Sequence, residues 1–165
     1  MKSIIIVDMQ KGFINENNIH LIDKINKYLI ENKFDNIIYT KCINKEGSSF
    51  DKILNWKEML TKDEQEICIN KLDKGIILEK YGYGLLNEHI KKLKDLGITE
   101  IEVCGTDSDA CVLAISYQLF DNGIRPILLK KLCASSSRKE EINNFAFNIM
   151  ERSFGKENII DWNLY

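Results

Sequence analysis

Short, almost wholly apolar runs alternate with longer amphipathic stretches along the chain, and this alternation limits the folds that the sequence can adopt. A run without a polar face predicts a strand that is buried on both sides, as in a parallel sheet covered by helices. With 165 residues, the chain fits a single domain, residues 1–165. We therefore predict an α/β fold: a three-layer α/β/α, Rossmann-like domain with helices on both faces of a mostly parallel sheet of five or six strands. The runs lie at residues 3–7, 36–43, 75–79 and 124–129 and at the start of the stretch 101–112.

The stretches between these runs carry apolar residues at helical spacing. The less regular region 44–73 predicts two short helices, at residues 50–56 and 63–69. His20 and His89 lie on predicted helices, and we expect both side chains to be solvated. The longer helices are predicted at residues 17–33, 85–96, 111–122 and 137–152, and a short edge strand at residues 158–161.

The composition excludes several classes of function. The chain has 23 Lys and Arg against 25 Asp and Glu, a formal net charge of −2. It therefore lacks the basic surface expected of a nucleic-acid-binding protein, and nothing indicates a membrane partner. Its apolar runs are far shorter than a bilayer span and no signal-peptide pattern is present, which predicts a cytoplasmic protein. Five cysteines without CxxC spacing predict neither a zinc site nor a disulfide framework.

The stretch IEVCGTDSDACV, residues 101–112, is the strongest candidate for a catalytic element. It predicts a buried strand that breaks at Gly105, a polar turn, and a helix whose first turn holds Cys111. The N–H groups and dipole of a helix start favour a thiolate and would lower the pKa of that thiol. Ser108 or Asp109 is the expected N-cap. The alternative is that Cys111 is a small buried apolar side chain, as most cysteines are.

Two further polar residues follow predicted strands. Asp8 comes directly after the run 3–7, and Lys80 directly after the run 75–79. Open α/β sheets bind ligands beyond the carboxyl ends of their strands, so both side chains could reach one cleft. Taken alone, Asp8 could equally be a helix cap or a solvated loop acid, and Lys80 one of many solvated lysines.

Three segments together resemble the isochorismatase-like cysteine hydrolases, a family that includes nicotinamidases and N-carbamoyl-amide hydrolases. GTDSDACV fits the family pattern Gly-x-x-Ser/Thr-Asp-x-Cys-Val, VDMQKGF resembles the opening motif, and KYGY resembles the motif that contains the catalytic lysine. The resemblance implies a sheet order of 3-2-1-4-5-6, which brings the ends of strands one, three and four to one cleft. It also implies a catalytic triad of Asp8, Lys80 and Cys111.

The same resemblance assigns supporting roles. It implies a cis peptide bond between Thr106 and Asp107, and an oxyanion hole made by the backbone N–H groups of Asp107 and Cys111. Gln10 would brace the loop after the first strand. Phe13 would line the substrate pocket.

The rest of the pocket follows the family less closely. Tyr83 is the expected aromatic residue of the pocket, with Tyr81 as the alternative. Trp56 fits either a pocket wall or a plug in the core. The usual small-Ala-Phe continuation of the lysine motif is replaced by residues 84–86, Gly-Leu-Leu, and Lys131 stands near the place of an acid that relatives carry.

Metal-dependent nicotinamidases carry an Asp-x-His pair and a further histidine after the second strand. In this chain residues 41–44 are Lys-Cys-Ile-Asn, and no histidine occurs between His20 and His89. Two histidines so far apart do not build such a site. We therefore predict no catalytic metal and no cofactor.

These observations predict a metal-independent cysteine hydrolase that cleaves a C–N bond of a small amide or carbamoyl substrate through a thioester. One alternative is a member of the same fold that binds a ligand without turning it over. A thiol redox protein is a second alternative, for which Cys104 and Cys133 are the candidate resolving cysteines. The resemblance also allows a homodimer or a homotetramer.

Overall fold

A computed structural model describes residues 1–70, 74–137 and 139–161 of the chain. The strands of its sheet are β1 (Ser3–Val7), β2 (Asn36–Cys42), β3 (Ile76–Lys80), β4 (Glu100–Gly105), β5 (Arg125–Cys133) and β6 (Ile159–Ile160). The α-helices are α1 (His20–Glu31), α2 (Ser49–Leu54), α3 (Asn87–Asp95), α4 (Cys111–Asp121) and α5 (Glu140–Phe154). None of the described helices has the length and apolar content needed to cross a bilayer.

The strands form one sheet in the order β3-β2-β1-β4-β5-β6, and every described pair of neighbours is parallel. This confirms the predicted α/β fold and strand order. The central strand β1 is buried along its whole length, because helices cover both faces of the sheet. Its carboxyl end lies between those of β2 and β4, so the residue after β1 lies at the centre of that edge of the sheet.

Residues 63–69 do not form the predicted helix. Ile67 instead forms an antiparallel bridge with Gln10, and Cys68 N donates a hydrogen bond to the carbonyl oxygen of Met9. A short isolated helix is marginal in water, so pairing with a distant segment outweighs a weak local pattern. As a result, this segment supports the loop that follows β1.

Strand β5 continues to Cys133, beyond the predicted end at residue 129. After an irregularity in register, Cys133 pairs with Gly105. The chain that follows β5 therefore reaches the turn after β4, where Ser108 N donates to the carbonyl oxygen of Ala134. This extension brings residues after β5 to the same edge of the sheet.

The two histidines differ in exposure. His20 is exposed, as expected, whereas His89 is buried and the expectation for it was wrong. In the first turn of α3, His89 Nδ1 accepts a hydrogen bond from the backbone N–H of Leu86, at 3.3 Å. Burial lowers the pKa of this imidazole, so His89 is part of the start of the helix and not a solvated side chain.

Gly105, the last residue of β4, permits a close approach of β1. Its φ is +117°, and a Cβ at this position would overlap the Val7 carbonyl oxygen and lie 2.7 Å from Val7 N. We expect Gly105→Ala to destabilise the fold by at least about 2 kcal/mol in urea unfolding, because both the φ angle and the backbone contact oppose a side chain. Gly82→Ala is the matched control, since nothing lies within 4 Å of its Cβ position, and it should change stability by less than about 1 kcal/mol. Equal effects of the two substitutions would contradict the argument.

Candidate active site

Three polar side chains from separate segments meet at the carboxyl edge of the sheet. Asp8 follows β1, Lys80 ends β3 and Cys111 begins α4. Lys80 Nζ lies 2.8 Å from Asp8 Oδ2 and 3.3 Å from Cys111 Sγ. The sheet thus brings together the acid, the amine and the thiol that the sequence singled out.

Asp8 is held in a strained conformation with an uncommon φ of +44°. Its backbone N–H donates to Thr40 Oγ1 at 3.0 Å, and that hydroxyl donates to Asp8 Oδ1 at 2.6 Å. The carboxylate is fully buried, and its Oδ2 forms an ion pair with Lys80. A hydrogen bond also joins the Asp8 carboxylate to the Cys111 thiol, so an acceptor for the thiol proton is in place.

Lys80 is also fully buried. Burial opposes its charge, but the negative charge of Asp8 and the hydrogen bond to that carboxylate outweigh burial and raise the pKa of Lys80 above its ordinary value. Lys80 Nζ also donates to the carbonyl oxygen of Gly82, at 2.8 Å. The amine is therefore a fixed cation with three acceptors around it.

The Cys111 thiol does not ionise readily in the resting protein. Burial, the negative charge of Asp8 and a hydrogen bond with that carboxylate raise the pKa of the thiol well above its ordinary value, and Lys80 only partly opposes this shift. The expectation of a lowered pKa from the helix start was wrong. With Asp8 and Lys80 already paired, a thiolate would leave a net negative charge in a buried site.

The expected helix cap is also absent. The residue before α4 is Ala110, which makes no side-chain capping bond. Ser108 Oγ is buried and has no hydrogen-bond partner among the described residues, and Asp109 is exposed. The turn is held instead by Asp107, whose carboxylate accepts from Ser136 N at 2.6 Å and Ser136 Oγ at 2.8 Å.

Two residues that line the cavity have backbone N–H groups without an acceptor among the described residues. Within the described parts of the chain, neither Asp107 N–H nor Cys111 N–H donates to a protein atom, although Ala110 N and Val112 N both donate to the Asp107 carbonyl oxygen. The peptide bond between Thr106 and Asp107 is cis. Both Asp107 and Cys111 line the cavity described below, so an oxyanion formed at the thiol would have donors near it.

Gln10 braces the loop after β1. Its Nε2 donates to the carbonyl oxygens of Cys42 and Gln65, both at 3.0 Å, and its Oε1 accepts from Cys42 N at 2.7 Å. The side chain is fully buried. It therefore links the end of β2 to the segment around residue 65, beneath the cavity.

A cavity of about 490 Å³ opens onto the thiol. Phe13, Trp56 and Tyr83 line it, whereas Tyr81 does not. Trp56 is thus a wall of the cavity and not a core plug. Several other residues that line the cavity were not predicted from the sequence, namely Asn15, Cys42, Phe50, Leu54, Glu58 and Ser136.

Asn44 builds one wall of this cavity. Its Nδ2 donates to the carbonyl oxygens of Trp56 and Glu58, at 3.2 and 2.8 Å, and its Oδ1 accepts from Lys45 N and Ser48 Oγ. Ser48 in turn caps α2 by accepting from Asp51 N. The sequence predicted Trp56 as a candidate for this wall but gave no role to Asn44, because the partners of Asn44 come together only in the fold.

The loop after Lys80 is tied to α4 by Gln118. Leu85 N donates to Gln118 Oε1 at 2.6 Å, and Gln118 Nε2 donates to the Leu85 carbonyl oxygen at 2.8 Å. We expect Gln118→Leu to cost about 2 kcal/mol of stability in urea unfolding, because it leaves both backbone groups of Leu85 unpaired. Tyr117→Phe, which removes an exposed hydrogen bond to Ser153, is the control. A Gln118→Leu variant with wild-type stability would contradict this role.

The comparisons with known proteins agree with this fold. The pyrazinamidase of Pyrococcus horikoshii in complex with zinc is 19% identical, with a TM-score of 0.82 over 98% of this chain and 99% of that chain. The nicotinamidase of Bacillus subtilis is 18% identical (TM-score 0.76; 94% and 97% covered). The N-carbamoylsarcosine amidase of Thermoplasma acidophilum is also 18% identical (TM-score 0.75; 94% of each chain). At these identities the likeness shows the fold alone.

No curated protein sequence matches the chain. Residues 2–159 match the isochorismatase domain family. Because this match covers nearly the whole chain, the protein belongs to the isochorismatase domain family.

Proposed function

We propose that this protein is a metal-independent cysteine hydrolase that cleaves the C–N bond of a small amide or carbamoyl compound. The observation that carries the proposal is the buried contact of Lys80 Nζ with both Asp8 Oδ2 and Cys111 Sγ, at 2.8 and 3.3 Å. A buried acid–amine pair against a thiol is costly to maintain. The nicotinamidase and the N-carbamoylsarcosine amidase that share the fold are named for such substrates.

The first half of the reaction forms a thioester. Because the thiol is protonated at rest, Asp8 takes its proton as Sγ attacks the carbonyl carbon. Lys80 stabilises the developing negative charge on sulfur, and the N–H groups of Asp107 and Cys111 stabilise the oxyanion. Asp8 then gives its proton to the departing nitrogen, the C–N bond breaks, and ammonia or an amine leaves.

The second half hydrolyses the thioester. Asp8 is again a carboxylate and removes a proton from a water that attacks the thioester carbonyl. The C–S bond breaks, the sulfur regains its proton from Asp8, and the acid product leaves. Lys80 remains protonated throughout, because the negative charge of Asp8 raises the pKa of the amine despite burial, which opposes its charge.

The residues near the cavity do not fit a metal ion. The described residues contain no group of three or more His, Cys, Asp and Glu that could hold one. Asn44, which follows β2 where relatives have a metal ligand, uses both of its side-chain atoms in hydrogen bonds that hold the cavity wall. The donor chemistry of this chain therefore supports a reaction carried by its own side chains.

The redox alternative has little structural support. Cys104 and Cys133, its candidate resolving cysteines, are buried and do not line the cavity. Burial raises the pKa of the Cys133 thiol to about 12 and raises that of the Cys104 thiol well above its ordinary value. Cys42 is the second cysteine of the cavity, and burial raises its pKa to about 11.

The decisive experiment is a screen of small amides and carbamoyl compounds for ammonia release, combined with rapid-quench mass spectrometry of the enzyme. We expect at least one compound to be hydrolysed and Cys111 to carry its acyl group transiently. Chelator treatment should leave the rate unchanged. Ligands that bind without turnover or acylation would instead identify a binding protein of the same fold.

The raised pKa of Cys111 gives a pH prediction. A thiol with a raised pKa has less thiolate at any given pH, so alkylation of Cys111 by iodoacetamide should keep accelerating beyond pH 9. In the urea-unfolded protein the same rate should level off near the ordinary thiol pKa, which is the control. Peptide mapping by mass spectrometry measures both rates. A plateau below pH 8 in the folded protein would contradict a protonated resting thiol.

A further inference from the structure

The charged residues that line the cavity in the described part of the chain are all acidic. Of the described residues that line it, none is Lys, Arg or His, whereas two, Glu58 and Asp107, are acids. The charge of the adjacent Lys80 is balanced by Asp8. Building on the proposed amidase function, we propose that the enzyme selects small amides that carry a positively charged group, with Glu58 as the residue that binds this group, and rejects amides that carry a carboxylate.

Asp107 does not compete for this role. Its Oδ1 accepts from Ser136 N and from Thr106 Oγ1, both at 2.6 Å, and its Oδ2 accepts from Ser136 Oγ at 2.8 Å. Burial raises the pKa of this carboxyl, partly opposed by those bonds. Asp107 is therefore engaged in holding the turn, and Glu58 is the acid available to a ligand.

Glu58 has a fixed backbone and an unengaged side chain. Its carbonyl oxygen accepts the 2.8 Å hydrogen bond from the buried Asn44, so its place at the cavity is set. Its carboxylate, which is exposed, forms no ion pair among the described residues. The neighbouring Lys57 pairs with Asp51 instead. A cationic ligand could therefore bind the Glu58 carboxylate without breaking an ion pair among the described residues.

The aromatic side of the cavity suits the same ligand. Phe13 and Trp56 are stacked, with ring centroids 5.9 Å apart and an angle of 18° between their planes. Phe50 lies edge-on to Trp56 at 5.2 Å and to Tyr83 at 5.1 Å, which fixes the rings on both sides of it. Ring faces attract cations and offer nothing to a carboxylate.

The test uses three amides of similar shape: 3-(aminomethyl)benzamide, a cation; 3-ethylbenzamide, neutral; and 3-(carboxymethyl)benzamide, an anion. Binding to Cys111→Ala is measured by calorimetry, so the result does not depend on turnover. We expect the cation to bind about tenfold more tightly than the neutral amide, and the anion to bind most weakly. In Cys111→Ala/Glu58→Gln the preference for the cation should shrink severalfold, and in Cys111→Ala/Glu58→Lys the order of cation and anion should reverse.

Glu46→Gln in the same background is the control, because Glu46 is exposed and does not line the cavity, and it should preserve the order. Equal or tighter binding of the anion, an unchanged order in the Glu58 variants, or no binding of any of the three would overturn the proposal. If the charge order holds in these variants but the wild-type protein hydrolyses no amide, the proposed function fails while the charge selection stands.

Discussion

Cys111→Ala should reduce amide hydrolysis to the background rate, a loss of at least about 10⁴-fold in kcat. The carbonyl carbon loses the sulfur that attacks it, and neither Asp8 nor Lys80 can replace that sulfur, because each is fully buried and paired with the other. The substitution removes a single buried sulfur atom, so the fold should remain, with a change in stability of about 1 kcal/mol or less. Ammonia release and urea unfolding measure the two effects.

Two further variants test whether the loss of activity is specific to the Cys111 thiol. Cys111→Ser keeps the shape but replaces the thiol with a far weaker acid, so its activity should fall nearly as much. Cys68→Ser changes a half-buried cysteine that does not line the cavity and should keep most of the activity. If Cys111→Ala retained substantial turnover of the compound that the wild-type protein hydrolyses, the thioester mechanism would be wrong.

Lys80→Met should destabilise the protein by about 3–5 kcal/mol, because it leaves the fully buried Asp8 carboxylate without its cation. It should also abolish turnover, since the variant lacks the cation that stabilises the negative charge developing on the Cys111 sulfur. The double variant Asp8→Asn/Lys80→Met removes both charges and should recover most of the lost stability without recovering activity. Urea unfolding of the three proteins, with ammonia release, separates the two contributions.

Lys91→Met is the matched control for the ion pair. Lys91 also lies 2.8 Å from an acid, Asp95, but both side chains are largely exposed, so the loss should be below about 1 kcal/mol. A Lys80→Met variant that is as stable as Lys91→Met would mean that the buried pair is not held as a pair of charges. Full activity in Lys80→Met would show that the reaction does not need the Lys80 amine.

The sequence predicted the strands well because their signal is local. An almost wholly apolar run such as residues 3–7 is stable only where both faces of the strand are covered, so the composition of the run alone predicts a buried strand. Strand order is different: it came from the resemblance of three segments to a family, since no local pattern states which strands are neighbours. The same three segments supplied Asp8, Lys80 and Cys111.

Three of the predictions that failed depend on distant parts of the chain. The helix expected at residues 63–69 was replaced by pairing with the loop after β1. His89 was expected to be exposed because lysines surround it in the sequence, but the fold buries it. The thiol of Cys111 was expected to have a lowered pKa from the helix start alone. Burial and the nearby Asp8 carboxylate raise it instead, and neither effect is visible in a segment of twelve residues.

The sequence by itself determined the class of fold and named the acid, the amine and the thiol, because buried strands and the residues that follow them leave a pattern along the chain. Only the tertiary structure decided the distances between those groups, the protonation of the thiol and the wall of the cavity. Charge interactions, burial and cavity shape depend on atoms that are near in space and distant along the chain. For this reason no sequence motif pointed to Asn44, which holds one wall of the cavity, or to Glu58, which lines it.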